Sequence, residues 1–441
     1  MGDAQAADQR QTFFYGWAIV AGGYLIGLLT SGLMAYTRGI FLVPMAEELD
    51  ASRLELSLGF TITSAVAAFS APLAGYLLDK FPVPRLMTLM VIWTAIGYFA
   101  LSMINDKLGL FLVLGIFFGL ATFHLGGPAT GKLVVSWFST RRGLALSLLA
   151  MGASTAGVLT PPIATALIET FGWRWSFVVY GVVTLVAVLP LTTLLMRDPP
   201  KEEAASPLLA EAGQKTDVDA TSTGESAATT GTPLSVDRVW RRSEYLSNPS
   251  FWGIVVIFGT MGCIFSGVSL HLFAHITDIG IDPIRASLAL SVMASLALFS
   301  KPVFGWLVDR LDARVSVVVS LLTQLLGVVL LLFAESFVAV VVAATLFGFG
   351  YGGMVPLRNA LTAIGFGPMS FGEVTGAMRT AMAPLTLGGM PLAGWIHDTF
   401  GSYDAAFTTF AALYVLALLA VLLLRLQAPQ REVRARSPVS A

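Results

Sequence analysis

Apolar residues in this chain fall in long uninterrupted runs. They follow neither the alternation of a half-buried strand nor the narrow stripe of a soluble helix. Crossing a bilayer as a helix takes about 20 apolar residues. Runs of that length predict spans at 14–42, 54–78, 85–104, 109–137, 143–168 and 175–196, then at 251–277, 284–308, 315–335, 337–362, 371–396 and 403–426. Between the sixth and seventh spans, residues 198–250 are rich in Ala, Ser, Thr, Gly and Glu. That stretch has too little apolar surface to build a core, so it reads as a linker without fixed structure. The expected organisation is a tail (1–13), a six-helix half (14–197), the linker (198–250), a second six-helix half (251–426) and a second tail (427–441).

Composition supports an all-α membrane protein. Of 441 residues, 56% are hydrophobic and 12% charged, with mean hydropathy +0.77. Soluble domains carry about 25% charged residues. A net charge of −1 gives a nucleic-acid partner no electrostatic support. The single cysteine, Cys263, lies in an apolar run, which excludes a disulfide framework and a cysteine metal cluster. No small-residue cleavage site follows a short apolar core near the start, so the first run reads as a retained helix. No cofactor is implied, and the expected functional unit is a monomer in a lipid bilayer.

Charge gives the spans a direction. Lys80, Arg85, Arg141, Arg142, Arg197, Arg310 and Arg314 fall on one side, while Glu47, Glu48, Asp106, Asp278, Asp282 and Glu335 fall on the other. Basic loops face the cytoplasm. Both termini and the linker are therefore expected to be cytoplasmic, in agreement with an even number of spans. The compact tails point to a bacterial inner membrane.

The halves echo each other. After the second span comes Gly75-Tyr-Leu-Leu-Asp79-Lys80, and after the eighth Gly305-Trp-Leu-Val-Asp309-Arg310. Two such phrases in register mark an internal repeat. Glycine there is expected to let helices approach closely, and the Asp to cap a helix or pair across a cytoplasmic gate.

A charge near the middle of a span costs roughly 2.5–3.5 kcal/mol on insertion scales, so each one is a functional candidate. Lys301 lies eight residues before Asp309, about 12 Å from the basic end. Small residues share its helical face, and Pro302 follows it. Arg379 lies eight residues after Phe371 in the eleventh span, at the same depth. Neither span carries a mid-membrane acid, so an anionic substrate would supply the missing counter-charge. The alternative is an ion pair with a loop acid at the cytoplasmic gate. Arg38 is expected nearer the outer face, as a third cation or as a partner of Glu47 or Glu48.

Several stretches carry a resemblance. "YGWAIVAGGYL" (15–25), "WFSTRRGLALSLLAMGASTAGVLTPPI" (137–163), "FGWRWSF" (171–177) and "PLAGWIHDTFGSYDAAF" (391–407), taken with the two repeated loops, resemble the major facilitator superfamily. Within it, they resemble the monocarboxylate transporters and their bacterial oxalate/formate antiporter relatives. The likeness covers nearly the whole chain outside the linker and tails. It implies alternating-access transport of small mono- or dicarboxylates, with a proton or in exchange for a counter-anion. Lys301-Pro302 matches that family's cation followed by proline, with Lys for Arg, and Arg38 matches its first-helix lysine. Two departures stand out. The eleventh-helix cation of the antiporter relatives aligns with Met382, one turn from Arg379. The acid that proton-coupled members place four residues before the cation is Ala297 here, which puts proton symport in doubt.

Weaker candidates complete the expectations. His124 and Glu373 could serve proton movement, His124 from mid-membrane and Glu373 at the start of the eleventh span. Helix packing and helix capping are their plainer roles. His271 and His275 share a face at a spacing that suits a metal, but no third ligand is evident. Tyr36, Tyr351 and Asn359 could line a cavity. A carrier or exporter of a different small molecule, a drug or a sugar, is the competing reading, because fold alone does not fix substrate. A receptor signalling through the linker has no recognisable domain there. An enzyme lacks paired acids, a nucleophile–base arrangement or a metal cluster.

Overall fold

A computed structural model describes residues 15–121, 127–138, 142–198, 240–367 and 370–424. Both expected tails, residues 199–239 of the expected linker and His124 lie outside the described residues. Residues 240–250, expected to lack fixed structure, instead hold a short helix because Tyr245 and Trp240 bond to Glu373 and Ser370. The described chain is helical. We number the spans α1 to α12. α1 runs Gly16–Ser31, passes through a π-helical turn Gly32–Tyr36, and resumes as Arg38–Glu48. α2 is Arg53–Lys80, α3 is Val83–Ser102, and α4 comprises Lys107–Val113, Leu114–Gly119 and Gly127–Trp137. α5 and α6 share the continuous stretch Arg142–Val183, broken where Gly172 takes φ 79°, a left-handed value that L side chains resist. α6 then continues through Thr184–Val188 and Leu191–Leu195.

The second half repeats the pattern. A short helix, Arg242–Leu246, leads into α7 (Pro249–Asp278), α8 (Pro283–Arg310) and α9 (Ala313–Leu331). α10 joins Phe337–Gly352 to Met354–Phe366, α11 is Phe371–Phe400, and α12 is Asp404–Ala420 with a final turn Val421–Leu423. Among the described residues nine stretches are long and apolar enough to cross a membrane, and one of them, Leu144–Leu195, holds both α5 and α6. α4 and α11 complete the twelve passes.

The internal repeat is longer than the two loop phrases. Residues 69–80 read FSAPLAGYLLDK and residues 299–310 read FSKPVFGWLVDR, a constant offset of 230. Both α2 and α8 are 28 residues long. Their N-caps obey the same offset: Ser52 accepts from the Glu55 N–H, and Asp282 from the Arg285 N–H. Lys301 stands where the first half has Ala71.

Inside the first half, Phe41 stacks on Phe177 at 4.3 Å, Tyr180 packs edge-on against both, and Tyr98 stacks on Phe177 and meets Tyr180 edge-on. Each such pair contributes about 0.5–1.5 kcal/mol beyond its area. In the second half the buried Tyr414 hydroxyl donates to Gln324 Oε1 at 2.9 Å, joining α12 to α9 with a polar bond in an apolar setting.

The halves meet toward the acidic end. Asp398 of α11 accepts from the backbone N–H groups of Arg53 (3.1 Å) and Leu54 (2.8 Å), so an acid of one half caps a helix of the other. Arg53 also pairs with Asp278 at 3.4 Å. Toward the basic end Gly75, Gly305, Gly372 and Gly376 have nothing within 4 Å of where a Cβ would stand. The close helix approach expected of Gly75 and Gly305 is therefore absent at these positions. Lys80 instead lies over the Tyr76 ring and Arg310 over the Trp306 ring. Asp309 is exposed, and the Asp79 side chain lies outside the described residues.

Candidate functional site

Lys301 sits at the seam of the two halves. It lines a cavity of about 180 Å³ together with Tyr36 and Ser154 of the first half and Phe265, Ala297 and Tyr351 of the second. Its Nζ donates to Ser154 Oγ at 3.0 Å. Phe265 and Tyr351 form one wall, stacked with centroids 3.5 Å apart. Ala297 places only a methyl group in this cavity, one turn before the ammonium. Among the described residues no acid pairs with Lys301. The arrangement offers one cation, a hydroxyl and an aromatic wall, which suits an anionic head on an apolar body.

Arg38 lies deeper than the hydropathy pattern predicts. The first span does not stop near residue 42; the helix restarts at Arg38 and carries through Pro44 to Glu48. Arg38 is thus ten residues from the acidic end, about 15 Å along the helix. Its side chain enters the first half and lines a cavity of about 260 Å³ with Thr63, Thr94, Tyr98 and Thr184. Its Nε donates to the Ala35 carbonyl at 3.2 Å, and its guanidinium sits 6.0 Å from the Phe60 ring. The pairing with Glu48 does not form. Glu48 goes to Arg174 at 2.7 Å and to the Trp173 indole N–H instead. Arg38 and Lys301 therefore line two separate cavities, with Tyr36 at the second.

Arg379 is exposed on α11, on a stripe with Gly372, Gly376 and Thr380. Its neighbour in space was not among the sequence candidates: Arg358 of α10 lies within electrostatic reach of Arg379. Counting from helix ends would have found it, since Arg358 is eight residues before Phe366. Glu373, the nearest acid in sequence, accepts from the Tyr245 hydroxyl at 3.2 Å. Burial and this bond hold the Tyr245 phenol above its ordinary pKa range. Asn359 is exposed and lines neither of the two cavities described above.

His271 and His275 do not form a metal site. Among the described residues no group of three or more His, Cys, Asp or Glu is placed to hold an ion. Instead, the His271 ring bonds Ser57 Oγ (3.0 Å) across the halves, and the Tyr403 hydroxyl (3.1 Å) and Met390 carbonyl (3.1 Å) within its own half. His275 packs edge-on against Tyr403 and Phe407. Lys132, expected at the interface, donates to the Leu78 carbonyl at 2.5 Å, near the basic end of α2.

Comparison with known proteins places this geometry. The chain is 27% identical over 403 residues to monocarboxylate transporter 13 of Bos taurus, covering 90% of this chain and 86% of that protein. It is 28% identical over 338 residues to the MFS-type transporter YhjX of Escherichia coli, covering 75% and 76%. Human monocarboxylate transporter 11 is 26% identical, covering 89% and 79%. Among solved structures, a bacterial homologue of the human lysosomal transporter Spinster, in an inward-facing and occupied conformation, superposes with TM-score 0.65 at 13% identity and 93% coverage of both chains. The nucleoside transporter NupG gives 0.68 at 12% identity, covering 94% of this chain and 100% of that one. The family model of the Major Facilitator Superfamily matches residues 24–383 and 274–440. Those matches span both halves of the bundle, and the chain belongs to the major facilitator superfamily: it is a multi-pass membrane transporter and not an enzyme.

Proposed function

We propose that this chain is a secondary carrier of small organic anions, moving mono- or dicarboxylates by alternating access. The observation that carries this reading is Lys301: a cation in the cavity between the halves, held by a neutral hydroxyl and facing no acid among the described residues. A cation so placed favours an anionic occupant. Arg379 at matched depth and Arg38 in the first-half cavity extend the positive path. The monocarboxylate transporters among its relatives support the same cargo class.

Open space beside Gly75, Gly305, Gly372 and Gly376 at the basic end, with cross-half bonds at the acidic end, supports a state open to the side of the basic loops. By the distribution of positive charge that side is the cytoplasm, with both termini there and the protein in a bacterial inner membrane. Coupling runs through a proton or a counter-anion. The methyl group of Ala297 beside Lys301 favours exchange over symport, because it leaves the cation no titrating partner.

Uptake of labelled lactate, pyruvate and oxalate into proteoliposomes tests the proposal. At least one is taken up saturably, and Lys301→Ala and Arg379→Ala each reduce that uptake. Intact uptake in both variants overturns the binding role. The second reading, a carrier of a drug or sugar, is favoured by the Phe265–Tyr351 stack, which could hold a flat neutral cargo. A thermal-shift screen separates the two, since stabilisation by neutral compounds alone supports the second.

A further inference from the structure

Three cations occupy one layer of the second half. Lys301 is eight residues from Asp309, Arg358 eight from Phe366 and Arg379 eight from Phe371. Each lies about 12 Å from the basic end. α10 and α11 pack together at that level: Thr362 Oγ1 meets Met378 Sδ at 3.6 Å, next to Arg379 in sequence, and the Arg358 carbonyl accepts from the same Thr362 hydroxyl. That packing brings Arg358 and Arg379 within electrostatic reach of one another. Two like charges at one level of adjacent helices in a membrane protein repel unless something negative lies between them.

No protein group fills that role among the described residues. Arg358 Nε is buried without a hydrogen-bond partner. Glu373 is engaged by Tyr245, and no ion pair reaches either arginine. Arg358 lies on α10 just beyond residues of that helix that line the Lys301 cavity. Tyr351, Met354 and Val355 line that cavity, and Arg358 continues their stripe at spacings of seven, four and three residues. On α11 the exposed stripe of Gly372, Gly376, Arg379 and Thr380 is small and polar. α12, by contrast, exposes Leu416, Leu419 and Leu422. The α11 stripe thus suits an aqueous vestibule and not hydrocarbon.

We infer that Arg358 and Arg379 form a two-guanidinium subsite, separate from the Lys301 subsite, that takes a second anionic group of the cargo and makes the carrier select small dianions over monoanions. The inference rests on the anion-carrier reading. Three cations in one layer leave a monocarboxylate with two uncompensated charges, and a dicarboxylate with one. Guanidinium forks also match carboxylate geometry with two parallel bonds, which an ammonium does not.

The test uses the purified full-length chain and two probes of equal carbon count, succinate and butyrate, in equilibrium binding near pH 7.5. The unsubstituted protein is expected to bind succinate at least about tenfold more tightly. Arg358→Gln should bring the succinate-to-butyrate affinity ratio below about threefold. Lys301→Gln should weaken both ligands and preserve the ratio. Arg358→Lys, which keeps the charge without the fork, should keep an intermediate ratio and so controls for misfolding. Equal affinity for both probes in the unsubstituted protein, or an unchanged ratio in Arg358→Gln, overturns the dianion subsite and leaves the carrier reading standing. Binding of neither probe overturns both.

Discussion

The ammonium of Lys301 and the hydroxyl of Ser154 meet at 3.0 Å across the seam between the two halves. A neutral acceptor therefore occupies a place beside the cation that an anion would fill better. Both partners would take a charge-assisted bond from the ammonium, but a carboxylate adds the attraction of a full opposite charge that a hydroxyl lacks. Substrate carboxylate should thus outcompete Ser154. Lys301→Ala is expected to lower anion uptake at least about tenfold, while Ser154→Ala changes it less than about threefold. Equal losses in the two variants would make the pair a structural tie and not a binding site.

Asp398 links the halves differently. It supplies acceptors to two N–H groups at the start of α2, groups that would otherwise have no partner in their own helix. Asp398→Ala removes both bonds and should favour the state open at the acidic end by about 2–4 kcal/mol. Spin labels at Glu47 and Ile279, on the two halves at that end, would report the change. A new long-distance population is expected in Asp398→Ala, and an unchanged distribution refutes the gate role.

How far these features were legible depends on whether their causes are local. Apolar runs depend on composition within one helix, so the twelve passes, the two halves and the cations within the spans could be read directly. Boundaries were less secure: the first apolar run was expected to end at residue 42, yet α1 continues to Glu48 and carries Arg38 inward. Arg358 was visible by the same depth count that singled out Lys301 and Arg379. Its proximity to Arg379 arises from the packing of α10 on α11, which no spacing rule reports. The Asp398 cap joins residues 344 and 345 apart in sequence and had no local signal at all.

Helix packing within the second half gives a stability prediction. A methyl group at Gly389 would overlap the Cys263 carbonyl and crowd Ser266 Oγ, where α11 crosses α7. Gly389→Val should lower the melting temperature by several degrees, consistent with overpacking costs of about 1–3 kcal/mol. Gly376, on the same helix, has open space around it. Gly376→Ala should leave the melting temperature unchanged or raise it slightly, because alanine is about 0.5–1 kcal/mol better than glycine within a helix. A drop of similar size in both would mean that α11 itself, and not this crossing, is fragile.

The last prediction concerns coupling. Ala297 lines the Lys301 cavity one turn before the ammonium. Ala297→Asp would put a carboxylate within a helical turn of that cation. When ionised it neutralises Lys301 and competes with substrate; when protonated it leaves the cation free. Anion affinity in the variant should therefore be low at high pH and recover as pH falls through the new carboxyl's pKa. The cation lowers that pKa and burial raises it, so a scan over roughly pH 4 to 8 brackets the titration. A sulfonate analogue keeps its own charge fixed over this range and isolates the protein's titration. The unsubstituted chain should show no such recovery with that probe. A flat profile in Ala297→Asp, with Lys301 still required for binding, would mean that position 297 does not communicate with the cation. A proton-dependent profile would show that one side chain beside Lys301 is enough to convert an anion site into a proton-linked one.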